Sequence, residues 1–365
     1  MERGALNPHY QSSLAAHFDI KKLQFINESA EATQTLPEFA QDPKSLIELY
    51  KAMSFLRSFD TKAVNLQRTG KMGTFPSSLG QEAIMVGVGA AMQTDDVYCP
   101  YYRDQGVLFQ RGITPSKILS YWGGDERGSD FNASREDLPL CVPIATQLLH
   151  AAGVAYAIKL RKQARAVATM CGDGGTSKGD FFEAMNISGV WHLPLVIVIN
   201  NNQWAISAPN HVQTITPTFA QKAIAAGIEG IQVDGNDVVA VRALVSDALT
   251  KARTGGGATL IEAVSYRLCD HTTADDATRY GDKLALEKAW GIEPIARLRN
   301  YLHAKGLWDK EKEFALQKEC STQIEATVAE YQAIALQKPT SMLDYLYETL
   351  PDALQEQYDI LEGMK

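Results

Sequence analysis

No cysteine in this chain is positioned to pair with a neighbour: Cys99, Cys141, Cys171, Cys269 and Cys320 are scattered, with no CxxC among them. A disulfide framework is therefore not expected, and a reduced, intracellular setting fits better. Long apolar runs are missing too, and no basic-then-apolar leader precedes the start, so the expectation is a cytoplasmic protein with no membrane partner. Positive charge is in deficit, 35 Lys and Arg against 43 Asp and Glu, for a net charge of −8 and a pI near 5.5. That balance argues against a dominant nucleic-acid surface. A nicotinamide-type GxGxxG is absent as well: Gly172-Asp173-Gly174-Gly175-Thr176-Ser177 fails at its last position, and no acidic residue ends the following strand. No internal repeat or low-complexity tract appears.

What is present is Gly172-Asp173-Gly174, then twenty-six residues, then Asn201-Asn202. Residues 166–170 (AVATM) read as a buried strand, 179–190 as a helix and 195–199 (LVIVI) as the next buried strand, one βαβ unit. A right-handed crossover brings both strand ends to the same sheet edge, where Asp173 and Asn202 can converge on one cation. A carboxylate and an amide oxygen, with a backbone carbonyl such as that of Trp204, suit Mg2+ or Ca2+ rather than zinc. Gly174 and Gly175 allow close approach, and their N–H groups precede a helix start, where anions are favoured. The residues by themselves therefore indicate a metal–diphosphate site.

The surrounding pattern predicts alternating α and β elements. Helices are expected over 43–59, 81–92, 115–121, 146–162, 218–226 and 237–253, with further strands at 230–233 and 260–266. Residues 294–304 and 310–335 read as helices, and the tail from Ser341 as another short one. With 365 residues and 45% hydrophobic content, the chain can bury one large core with appendages. The expected organisation is an N-terminal arm over 1–44, whose Phe18, Leu23 and Phe25 are too sparse for a core. An α/β domain over 45–290 and a C-terminal helical extension over 291–365 would follow. The fold class is α/β, a doubly wound, mostly parallel sheet.

GDG followed by NN at this spacing matches the thiamine diphosphate motif. Further blocks narrow the match: Gly80-Gln81-Glu82-Ala83, Tyr102-Arg103-Asp104, 142–153 (VPIATQLLHAAG), 172–180, 201–207 (NNQWAIS), Val233-Asp234-Gly235 and 266–280 (YRLCDHTTADDATRY). Together they resemble the alpha subunit of the heterotetrameric 2-oxo acid dehydrogenase E1 component, above all its pyruvate-type branch. The likeness covers most of the chain and is most specific from 172 to 280.

The resemblance implies a thiamine diphosphate-binding fold and a set of roles. Asp173, Asn202 and the carbonyl of Trp204 would hold Mg2+. Arg103 and Tyr102 would face the diphosphate, and Gly172, Gly174 and Gly175 would let the backbone approach it. Ile144 would bend the cofactor. His271, in a polar loop over 267–283 with Arg267, would move a proton during acyl transfer. Arg267, Asp275, Asp276, Arg279 and Tyr280 would order that loop. It contains no serine, so the hydroxyls phosphorylated in regulated relatives are missing. Asn200 stands where branched-chain members carry an arginine, which leaves phosphate charge to Mg2+, Arg103 and His271. The substrate pocket would include Phe75, Gln81, Tyr101 and Tyr102.

The implied activity is that of an oxidoreductase: decarboxylation of a 2-oxo acid and transfer of the acyl group to a lipoyl arm of an E2 acyltransferase. Pyruvate is the first choice; branched-chain 2-oxo acids or acetoin are the alternatives. Only a diphosphate-type domain is present, so a beta subunit would complete the site in an α2β2 assembly. Neither Glu82 nor Glu183 is expected to serve as the glutamate that contacts the pyrimidine. A non-catalytic scaffold subunit is the reading from another class.

Overall fold

Every side chain of Leu195–Asn201 is buried, the signature of a strand covered on both faces. The computed structural model describes residues 14–131 and 136–364. Its strands are β1 (Lys21–Leu23), β2 (Val97–Cys99), β3 (Val167–Gly172), β4 (Leu195–Asn201), β5 (Trp204–Ala205), β6 (Ala208–Pro209), β7 (Glu229–Asp234) and β8 (Thr259–Val264). Six of them form a parallel sheet in the order β1-β7-β8-β4-β3-β2, while β5 and β6 make a small antiparallel pair.

Two apolar layers sandwich the sheet. Ala168, Met170, Val196 and Val198 join the larger cluster, whereas Val167, Cys171, Leu195, Ile197 and Ile199 join the other, the period-two alternation of a strand. Chain direction explains the layers. Steps from β2 to β3 to β4 run one way across the sheet, through helices Thr146–Leu160 and Gly179–Val190; the step from β7 to β8 runs the opposite way, through Val238–Arg253. Right-handed crossovers of opposite sense must lie on opposite faces. Accordingly, Leu148, Ala151, Phe181 and Met185 line one cluster, and Val238, Val241, Val245 and Leu249 the other. The reversal falls between β4 and β8, and a crevice opens beyond the strand ends there.

Helix Pro43–Arg68 starts on a proline, with the Asp42 carboxylate accepting from Lys44 N–H. It buries Leu46, Leu49, Tyr50, Met53, Leu56, Phe59, Ala63 and Leu66 along one stripe. Against it lies helix Lys310–Gln332, through Leu316, Cys320, Ile324 and Val328. No helix among the described residues is long and apolar enough to cross a membrane.

Three features depart from the sequence reading. Lys21–Leu23 is a strand, paired in parallel with Ile231–Val233, and Ile26 beside it is 2% exposed. Residues 1–13 of the expected arm lie outside the described residues. The tether here is polar: Asp237 Oδ2 accepts from the backbone N–H of both Phe25 and Ile26 at 2.7 Å, and Gln24 donates to Asp234 at 2.6 Å. Hydrophobic pattern carries no trace of such bonds. The short β2 was not anticipated either. The helix expected over 218–226 contracts to Lys222–Ala225.

Glu82 is fully buried at the start of helix Glu82–Ala91 and pairs with Arg57 Nε at 2.7 Å, while the same guanidinium reaches Glu293 at 2.7 Å. This is helix packing, as expected of Glu82; Glu183 is exposed. Arg57→Met leaves the Glu82 carboxylate buried with the Gly80 N–H on it but no cationic partner among the described residues, and should lower the unfolding free energy by about 3–5 kcal/mol. Urea unfolding checks this, and an unchanged midpoint contradicts it.

Candidate active site

Register brings the catalytic edge together. Gly172 lies opposite Asn200 and Asn201 opposite Val264, so the segments leaving β3, β4 and β8 emerge side by side. Between them is a cavity of about 190 Å³, walled by residues 101–103 after β2, Ile144 and Ala145 before helix Thr146–Leu160, residues 172–175 at and beyond the end of β3, Asn202, Trp204, Ala205 and Ile206 after β4, and His271 after β8. Gly174 is needed there, because a Cβ would come within 2.6 Å of the Ala205 Cβ. Non-glycine residues in left-handed conformation turn the chain at the walls: Ala145 (φ 65°), Gln203 (φ 73°) and Ile206 (φ 56°). Such residues cost about 1–3 kcal/mol each and cluster at functional sites.

Asp173 is 1% exposed. Its Oδ2 accepts from Gln213 Nε2 at 3.2 Å, and no cationic side chain among the described residues pairs with it. Burial pushes its carboxyl up to about 6. Asn202 donates through Nδ2 to Gln81 Oε1 at 2.8 Å and accepts through Oδ1 from Trp204 N–H at 3.2 Å. Gln81 therefore fixes the orientation of that amide.

Arg103 is 1% exposed. It donates to the Ser77 carbonyl, to His271 Nδ1 at 3.1 Å and to the His271 carbonyl at 2.9 Å, and its guanidinium lies 5.4 Å from the Tyr102 ring. No carboxylate among the described residues pairs with it. One cavity thus carries a buried carboxylate and a buried guanidinium, neither in an ion pair among the described residues, a costly arrangement. A diphosphate with a divalent cation fits both: oxygen donors for a hard cation at Asp173 and Asn202, a fork of donors for phosphate at Arg103.

His271 sits between two guanidinium groups, with Arg267 Nη1 3.5 Å from its Nδ1. Burial first, then the charges of Arg103 and Arg267, push its pKa down to about 3. Guanidinium only donates, so Nδ1 is the acceptor and the ring proton is assigned to Nε2. In the chain alone the imidazole is therefore held toward its neutral form.

Tyr102, Arg103, Ile144, Gly172, Asp173, Gly174, Gly175, Asn202, Trp204 and His271 all line this cavity. Arg267 does not. Its Nε donates to the Cys269 carbonyl at 3.0 Å, and its Nη2 donates to the Ile206 carbonyl at 2.8 Å and to the Tyr280 hydroxyl at 2.6 Å. It works behind His271, within a loop further tied by Asp275 accepting from His271 N–H at 2.8 Å and from Tyr280. Ion pairs expected for Asp276 and Arg279 are not among the described contacts; Asp276 caps Thr278 N–H instead.

Two expected pocket residues are elsewhere. Phe75 is fully buried and packs edge-on against Phe59 and Trp122. Gln81 lies beneath the cavity floor, and Asn200, also fully buried, donates to Gln81 at 3.0 Å and to the Tyr101 hydroxyl at 3.1 Å. Sequence reasoning missed Gln213, a lone glutamine outside any motif, and Gln147, which lies inside the 142–153 block but was given no role there.

An α/β fold with oppositely charged walls in a crevice at its strand ends defines an enzyme class that holds a charged cofactor there. A family model for the dehydrogenase E1 component matches residues 50–340, and the chain belongs to that family of thiamine diphosphate-dependent oxidoreductases acting on 2-oxo acids. Relatives include the pyruvate dehydrogenase E1 component subunit alpha of Mycoplasma genitalium, 38% identical over 320 residues, 87% of this chain and 88% of the relative. Its counterpart in Bacillus cereus is 37% identical over 352 residues, 95% and 94%. The 3-methyl-2-oxobutanoate dehydrogenase subunit alpha of Mycobacterium tuberculosis is 40% identical over 314 residues, 86% and 85%.

The raised Asp173 carboxyl makes a signed prediction. A folded-state value near 6 against an ordinary 3.8 means that stability is lost as pH rises through that window, by about 3 kcal/mol in full. Without added metal or cofactor, Asp173→Asn should therefore unfold at higher urea than wild type at pH 8 and converge with it near pH 4. A variant no more stable at pH 8 contradicts the account.

Proposed function

We propose that this chain is the alpha subunit of a pyruvate dehydrogenase (acetyl-transferring) E1, an α2β2 enzyme that decarboxylates pyruvate and acylates the lipoyl domain of an E2 acyltransferase. The observation that carries this reading is the pair of buried charged groups without an ion pair among the described residues, Asp173 and Arg103, on the walls of one cavity. They also weigh against a scaffold subunit without catalysis, which gains nothing from such a cost.

Asp173, Asn202 and the Trp204 carbonyl bind Mg2+, and Arg103 and Tyr102 hold the diphosphate. Gly172, Gly174 and Gly175 supply the close backbone. When bound, thiamine diphosphate supplies the electron sink for decarboxylation. Ile144, an aliphatic side chain 45% exposed beside the cavity, would pack against the cofactor and constrain its shape. Arg267 positions His271. An anion paired with Arg103 offsets one of the two charges that add to burial in holding His271 down, so the proton affinity of the ring rises. The protonated ring then serves as a general acid during acyl transfer.

A beta subunit as the second wall is supported by apolar surface at the mouth: Val142, Ile144 and Ile206 are 45%, 45% and 57% exposed. The domain limits proposed are 45–290 for the cofactor-binding unit, with 1–44 and 291–365 as extensions. A branched-chain substrate is the second reading, favoured by the 40% identity to the mycobacterial relative named for 3-methyl-2-oxobutanoate.

Co-expression with the beta subunit, followed by dye reduction with pyruvate, 3-methyl-2-oxobutanoate and acetoin, with and without thiamine diphosphate and Mg2+, tests the assignment. Cofactor-dependent turnover should be fastest with pyruvate. Preference for the branched substrate moves the assignment to the second reading, and no turnover with any of them supports the scaffold. In the active enzyme, His271→Ala should depress lipoyl acylation at least tenfold more than dye reduction. Equal losses would remove the transfer-specific role.

A further inference from the structure

The two side chains assigned to the metal are each held by a glutamine. Gln81 Oε1 takes the Nδ2 proton of Asn202, which leaves Oδ1 as the oxygen on offer. Gln213 Nε2 donates to Asp173 Oδ2 at 3.2 Å. The two bonds differ in consequence. An amide offers one oxygen however it is held, but a carboxylate can bind a cation through one oxygen or both.

Ca2+ accepts two oxygens from one carboxylate within a large, loose shell, whereas Mg2+ demands a small octahedral shell and takes one. A donor occupying Oδ2 biases Asp173 toward one-oxygen binding. Gln213 is itself fixed: Nε2 also donates to the Ala208 carbonyl at 3.1 Å. It lies in the short turn Asn210–Gln213 that follows β6, so the β5–β6 hairpin carries both the Trp204 carbonyl and this donor.

We infer that Gln213 is a positioning residue that sets the ion preference of the site, restricting Asp173 to one oxygen and favouring Mg2+ over Ca2+. The inference rests on the reading of Asp173 as a metal ligand. Gln213 touches neither ion nor substrate in this scheme and acts only through Asp173. Loss of an outer partner typically weakens metal affinity about 10–100-fold, and here the loss falls on Mg2+.

The test uses the full chain co-expressed with its beta subunit. Mg2+ and Ca2+ are titrated at fixed thiamine diphosphate, with melting temperature and tryptophan fluorescence as readouts independent of turnover. Gln213→Met keeps the length of the side chain and removes the donor. Its Mg2+ to Ca2+ affinity ratio should fall about tenfold, while its melting temperature without metal stays near wild type. An unchanged ratio, or equal weakening of both ions, overturns the inference. If Gln213→Met does not fold, Gln213→Leu, which also cannot donate, reads the same ratio. Asp173→Ala separates the two claims. If it leaves both ion responses intact, the metal-ligand reading fails; if it abolishes them while Gln213→Met keeps the wild-type ratio, only the role of Gln213 fails.

Discussion

The carboxylate of Asp173 and the guanidinium of Arg103 line one cavity, almost without solvent and, among the described residues, without an ion pair. Folding would not leave such groups where they are unless the surrounding structure over-determined their positions. It does so by strand register. Gly172 faces Asn200 across the β3–β4 ladder, so Asp173 has no freedom to retreat toward solvent. Arg103 is clamped by the Ser77 carbonyl and by His271. Asp60 in turn accepts from Ser78 N–H at 2.7 Å and from the Ser77 hydroxyl, so the clamp reaches back into helix Pro43–Arg68.

The same arrangement makes the site electrostatically conditional. Burial, together with the charges of Arg103 and Arg267, holds His271 toward its neutral form. An anion that satisfies Arg103 removes one of those charges from the balance, so occupancy of the cavity and the proton affinity of the imidazole are linked. Arg267 takes part from behind, through contacts that also hold Tyr280 and the loop after β8.

Legibility from sequence followed the kind of force involved. The βαβ unit around Gly172 and Asn202 could be read closely, with helix Gly179–Val190 at its expected limits, because apolar periodicity and glycine punctuation are local signals. Ten cavity-lining residues were identified through their motif. β1 was not, since Lys21–Leu23 is held by backbone pairing and by Asp234 and Asp237 more than two hundred residues away. Phe75 was misplaced because an aromatic near a motif reads the same whether it lines a pocket or fills a core. Arg267 was expected to share the catalytic role of His271, but it does not line the cavity, because its position behind it depends on where the 267–283 loop folds back. Gln213 escaped entirely, because its meaning lies in a single bond to Asp173.

β1 also has a bearing on solubility. A parallel sheet buried on both faces still presents raw backbone at its margins, and β7 would be such a margin, with unpaired N–H and C=O groups open to a stranger's strand. Lys21–Leu23 seals it with two lysines and only three residues, too short and too charged to recruit another chain. The segment that carries no catalytic group thereby acts as a selvage, keeping a sheet built for cofactor binding from becoming a template for aggregation.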